Sequence, residues 1–135
     1  MSHPGSTPEI EELKAAASRA RERAHAPYSK YQVGAALRSK RGNVYVGCNV
    51  ENATYGATLC AERVAVAHMV VAGESDIDAV LVFTDAGPIG MPCGICRQTL
   101  VEFAGPECAV IVASPRDLRI TTLGALLPEP FTFRK

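Results

Sequence analysis

The segment Ile77 to Thr84, IDAVLVFT, constrains the fold more than any other part of the chain. It is an apolar run of strand length, bounded by Asp76 and Asp85, and it suits a central strand covered on both faces. The covering layers must come from amphipathic elements elsewhere. Ser6-Thr7-Pro8-Glu9 has the hydroxyl caps, first-turn proline and early carboxylate of a helix start. Ile10, Leu13, Ala17, Ala20 and Ala24 then mark one apolar stripe, with Arg19, Arg21 and Arg23 as a solvated face and Pro27 as the stop. LCAERVAVAHMVVAG reads as a mostly buried helix starting near Leu59 and stopped by Gly73. Cys96, Leu100 and Phe103 line a third helix, and Leu123 to Leu127 form a last helical turn.

Strand signals fill the remaining segments. Tyr31, Val33, Ala35 and Leu37 alternate with Gln32, Gly34, Ala36 and Arg38, and the turn residues Lys40-Arg41-Gly42-Asn43 lead to Val44 to Asn49, a hairpin. Cys108 to Ala113 and Leu118 to Thr121 add two more strands. The order hairpin, helix, strand, helix, strand predicts a three-layer α/β/α domain with a central mixed five-stranded sheet, its parallel part joined by the two cysteine-bearing helices. The 135 residues suit one domain spanning 1–135.

Composition narrows the function. Hydrophobic residues at 47% and charged residues at 21% are the balance of a folded chain, not a disordered tail. Fourteen basic and fourteen acidic residues cancel, which argues against a polynucleotide partner and for a small, individually gripped ligand. No run approaches the ~20 apolar residues of a membrane span, and MSHPGSTPEIEELK carries no apolar signal region, so a cytoplasmic location is expected. Five cysteines in such a compartment stay reduced, leaving metal binding, catalysis or burial as their uses.

In MPCGICRQTL, Cys93 and Cys96 stand three positions apart at a helix start, open to reading as a redox pair, a disulfide or half of a metal site. Cys60 is expected at the start of the preceding helix. Helix N-termini favour the thiolate, the form that ligates metal. If both helices follow adjacent parallel strands, their N-termini share one sheet edge, where three thiolates could converge on one zinc ion. Three ligands suit a catalytic zinc with an open position; a fourth, for which Cys48 is available, would close a structural site in a module that only binds a partner. Glu62 lies two residues after Cys60, and a ligand-x-Glu followed by Pro-Cys-x-x-Cys is the signature of zinc nucleobase deaminases.

Together, APYSKYQVGAAL, GCNVENATYG, LCAERVAV, MPCGICRQTL and LLPEPF resemble the short, three-cysteine cytidine deaminases over most of the chain. The resemblance implies one zinc per chain held by Cys60, Cys93 and Cys96, with Glu62 as proton shuttle in the hydrolysis of cytidine and deoxycytidine to uridine and deoxyuridine. It makes Arg63 a donor to the ligand sulfurs, with Arg97 and Gln98 as weaker candidates for that place. Asn49 and Glu51 match the pair that grips the sugar, and Tyr31, where the family more often has Phe, matches a ring that packs on the nucleoside. Tyr55 and Phe131 match positions that complete a neighbouring subunit's pocket, so the resemblance implies a homotetramer with shared active sites. A blasticidin-S-type nucleoside deaminase is the alternative enzyme. Cys48 and Cys108 are expected as buried small hydrophobes, His3 and His25 at the surface and His68 in helix packing.

Overall fold

In the computed structural model, which describes residues 5–87 and 89–133, the run Ile77–Phe83 is the central strand β3. On one side it pairs antiparallel with β1 (Gly34–Ser39), and on the other parallel with β4 (Ala109–Ala113). The flanking strands are β2 (Val44–Cys48), antiparallel to β1, and β5 (Leu118–Thr122), antiparallel to β4. The five-stranded sheet has the order β2-β1-β3-β4-β5. Helix α1 (Pro8–Arg21) covers one face through Leu13, Ala16 and Ala17, packed with Ala36, Leu81, Phe83 and Ile111. Helices α2 (Ala61–Val71) and α3 (Gly94–Val101), with the short α4 (Leu123–Leu126), cover the other. There Ala65, Met69 and Leu100 meet Leu37, Val80 and Val110. The expected three layers are present.

Three local expectations change. Thr7 caps α1, accepting from the Ile10 amide at 3.2 Å, but the helix ends at Arg21, well before Pro27. Beyond it His25 is drawn into backbone pairing: its amide donates to the Asn49 carbonyl at 3.0 Å and its carbonyl accepts from the Glu51 amide at 2.8 Å. Those bonds replace a further helical turn. Arg21 is not on a solvated face either, since it pairs with Asp85 at 3.2 Å and donates to Gln32 Oε1 at 3.2 Å. The alternating segment from Tyr31 becomes strand only at Gly34, and both of its faces are covered, with Gly34 and Ala36 against α1.

The crossover differs as well. Helix α2 does follow β2 and lead into the parallel β3, but β1 lies between those two strands, so the strands before the cysteine-bearing helices are not neighbours. Their C-terminal ends still share one edge, because Cys48 of β2 and Phe83 of β3 both pair with Gly34, and Phe83 with Ala113. Helix α2 sits tightly on β2 at Gly47, where a Cβ would fall 2.4 Å from the Ala61 carbonyl oxygen and 2.5 Å from the Ala65 nitrogen. Its outward residues, Val70 and Val71 among them, are exposed, so it is less buried than its composition suggests. His68 is exposed too, but its ring meets Tyr45 edge-on at 5.3 Å, and His25 is at the surface as expected; His3 lies outside the described residues. Among the described residues, no helix is long and apolar enough to cross a membrane.

Candidate active site

Cys60 and Cys93 are the N-cap residues of α2 and α3, one position earlier than first-turn placement, and Cys96 is in the first turn of α3. The caps leave helical geometry in extended conformation, with φ −75° and ψ 153° at Cys60 and φ −70° and ψ 171° at Cys93. Neither thiol caps its own helix, so both sulfurs are free to face the sheet edge. There the Cys60 and Cys93 sulfurs are 3.8 Å apart, and all three sulfurs lie within 4.8 Å of one another. Sulfurs held about 2.3 Å from a tetrahedral zinc are about 3.8 Å apart, which is the Cys60–Cys93 separation, and Cys96 is near enough to close on the same ion. Cys48 is outside the cluster, which removes it as a fourth ligand, and Cys108 is a core residue. All five cysteines are free thiols.

Electrostatics agree with a cation site. The Cys60 thiol is pulled down to about 5, chiefly by its interaction with Cys96, then with Cys93 and with the nearby Arg63 guanidinium. The interaction with Cys60 in turn pushes Cys96 far up, helped by burial and by the charge of Glu62. One thiolate thus forms readily, and three together need a cation among them. Arg63 is placed to assist: a terminal nitrogen donates to the Thr58 carbonyl at 2.8 Å, while its buried Nε has no hydrogen-bond partner. A buried donor without a partner beside thiolates suits hydrogen bonding to ligand sulfur once the cluster is charged. Arg97 and Gln98 do not share that place. Arg97 donates to the carbonyls of Pro92 at 2.8 Å and Leu126 at 2.9 Å, and Gln98 to that of Phe131 at 2.7 Å, so both tie the C-terminal segment to α3.

Glu62, one residue into α2, is 5% exposed, and burial pushes its carboxyl up from the usual range. It lines a cavity of about 210 Å³ together with Cys60, Cys93, Tyr31, Asn49 and Glu51. Asn49 braces one wall by accepting from the Val33 amide at 2.9 Å and donating to the Tyr31 carbonyl at 2.7 Å. An amide side chain keeps one further hydrogen and one further lone pair for a ligand. Glu51 accepts from the amides of Tyr28 at 3.0 Å and Ser29 at 3.2 Å and from the Ser29 hydroxyl. Those bonds, the hydroxyl's first, hold its carboxyl below the usual range, so it faces the cavity as an anion. Tyr55 and Phe131 do not line this cavity and are 83% and 67% exposed.

Sequence reasoning did not single out Ser29, Thr58, Gly90 or Met91. Ser29 sets the Glu51 carboxylate, Thr58 anchors Arg63, and Gly90 and Met91 line the cavity. No local signal marks them: Ser29 acts on a residue 22 positions away, Thr58 acts through its main-chain carbonyl, which any residue type carries, and Gly90 and Met91 reach the cavity only through the fold.

Residues 7–113 match the family model for the cytidine and deoxycytidylate deaminase zinc-binding region. The chain is 42% identical over 126 residues to a cytidine deaminase of Sporosarcina psychrophila, spanning 92% of each chain. It is 30% identical over 112 residues to a blasticidin-S deaminase of Bacillus cereus, spanning 77% of this chain and 79% of that one. The crystal structure of cytidine deaminase from Burkholderia pseudomallei superposes with a TM-score of 0.85 at 41% identity, covering 97% of this chain and 100% of that one. A zinc-binding region matched over a three-sulfur cluster gives one zinc per chain. On sequence, fold and site together, the chain belongs to the cytidine and deoxycytidylate deaminase family.

Proposed function

We propose that this chain hydrolyses cytidine and deoxycytidine to uridine and deoxyuridine with release of ammonia. The observation that carries the reading is a buried carboxyl, Glu62, beside a three-cysteine cluster in a cavity that also holds Asn49 and Glu51. Cys60, Cys93 and Cys96 would hold zinc, and zinc supplies the acidity that makes water a nucleophile at neutral pH. Glu62 takes a proton from the water as its oxygen bonds to C4 and delivers that proton to N3. It then carries the water's second proton to the amino nitrogen, so that the C4–N bond breaks and ammonia departs. A carboxyl raised by burial is suited to both halves, since it accepts a proton readily and can still return it. Arg63 offsets the excess negative charge of three thiolates by donating toward sulfur.

Asn49 and Glu51 grip a sugar hydroxyl with the hydrogen-bonding capacity their structural bonds leave over, and the Tyr31 ring packs beside the nucleoside. A hydroxyl esterified in a polynucleotide has no proton for Glu51 and brings charge toward it, so the substrate is a free nucleoside. Tyr55 and Phe131, exposed and away from their own cavity, support a homotetramer in which they complete a neighbour's site. Free thiols throughout support a cytoplasmic location. The continuous five-stranded sheet supports one domain over residues 1–135.

The test is the loss of ultraviolet absorbance when purified protein meets cytidine, deoxycytidine, blasticidin S or an oligonucleotide with one internal cytosine, each at equal concentration. Conversion of the two free nucleosides is expected. Preference for blasticidin S would transfer the assignment to that substrate, and efficient conversion of the internal cytosine would remove Glu51 from sugar binding. Light scattering at assay concentration is expected to give a tetramer; an active monomer would refute shared sites.

A further inference from the structure

Tyr31 and Gly90 are far apart in sequence and line the same cavity. A Cβ on Gly90 would fall 2.9 Å from the Tyr31 hydroxyl oxygen, and no other described atom beyond its chain neighbours would come within 4 Å of it. The conflict is therefore with one oxygen alone. Nor does the backbone call for glycine: Gly87 has φ 92° and serves its turn, whereas Gly90 is outside the left-handed region, so alanine could adopt its conformation. What glycine provides at 90 is room.

The Tyr31 main chain cannot yield that room. Its amide donates to the Ser29 hydroxyl at 3.0 Å, its carbonyl accepts from Asn49 at 2.7 Å, and the Asn49 amide also holds the Val33 nitrogen at 2.9 Å. With that main chain held, an atom added at 90 presses on the hydroxyl end of the ring, which is part of the cavity wall. Resting on the function proposed above, we propose that Gly90 is a positioning residue for nucleoside binding: its bare Cα leaves the space occupied by the Tyr31 hydroxyl and so keeps the Tyr31 ring on the cavity wall.

The test is a double-mutant cycle of Gly90→Ala, Tyr31→Phe and the pair, with KM and kcat for cytidine measured separately. Gly90→Ala is expected to raise KM roughly 3- to 30-fold, inside the ~2- to 150-fold that coupling between residues in contact spans, with kcat changed less than about twofold. Added to Tyr31→Phe, which removes the conflicting oxygen, the same alanine should raise KM by less than about twofold over Tyr31→Phe alone. An unchanged KM in Gly90→Ala, or a penalty of equal size in the Phe background, would overturn the proposal. A crystal structure of the zinc-loaded Gly90→Ala protein provides a readout independent of turnover. A displaced Tyr31 ring is expected, and an unmoved ring refutes the positioning role even if the protein proves not to act on cytidine. Failure of the unmodified protein to convert cytidine would count against the proposed function alone.

Discussion

Gly47→Ala tests whether contact between β2 and α2 sets the metal site. The new methyl would lie 2.4 Å from the Ala61 carbonyl oxygen and 2.5 Å from the Ala65 nitrogen, where ordinary contact begins near 3.4 Å. Both obstacles are backbone atoms of α2, so no side-chain rotation relieves them, and strand and helix must separate by about 1 Å. Overpacking of this kind costs about 1–3 kcal/mol, and each kcal/mol lowers the Tm of a domain of this size by roughly 3–5 °C. The larger effect falls on the site, because the first turn of α2 follows Cys60 and carries Glu62. The Cys60 and Cys93 sulfurs are 3.8 Å apart, the spacing of two ligands on a tetrahedral zinc, and a shift of about 1 Å takes the pair off that spacing. We expect zinc affinity, measured by chelator competition, to fall ~10–100-fold, as for lost support of a ligand. The kcat at saturating zinc should fall by on the order of 10²-fold from misplacement of Glu62. A folded Gly47→Ala protein with zinc affinity and kcat within about threefold of the parent would show that the strand, not the helix, yields, and would refute the reasoning.

Glu62→Gln should lower kcat by ~10²–10⁴-fold, the usual loss for a general acid/base, while zinc measured by elemental analysis stays near one per chain; full activity would exclude it as the proton carrier. Arg63→Gln removes the donor beside Cys60 and should weaken zinc binding by ~10–100-fold in chelator competition, with unchanged affinity refuting its place beside the sulfurs. Glu74 joins the β1–β2 hairpin to the end of α2 through Asn43 at 2.7 Å and through Tyr45. Hydrogen bonds from Ser39, Tyr45 and Asn43, in that order, hold its carboxyl below the ordinary 4.5. A depressed carboxylate stabilises the fold fully above its unfolded value and loses that contribution as pH falls through the folded one. Acid melting curves should therefore be steeper below pH 4.5 for the parent than for Glu74→Gln; curves of equal slope would place the acid sensitivity elsewhere.

The features legible in sequence are those decided within a few residues. An apolar run of strand length between Asp76 and Asp85 demands cover on both faces whatever surrounds it, and β3 has it. Cys93 and Cys96, and likewise Cys60 and Glu62, each lie within one helical turn, so their chemistry can be read locally. Tertiary structure decided what depends on chain segments meeting at long range. The two halves of the cysteine cluster are 33 residues apart, and only the register of β2, β1 and β3 brings their helix ends to one edge. Pairing of His25 with Val50 ends α1 before its proline, a competition that helix propensity does not contain. Arg97 and Gln98 sit beside the metal motif in sequence but turn to the carbonyls of Leu126 and Phe131, because a helix sends successive residues to different faces. Cys48, equal to the ligands in chemistry, is excluded by position alone. The room that Gly90 leaves for Tyr31 is the same kind of fact: residue type limits what each position can do, and the packed chain chooses which partner it meets.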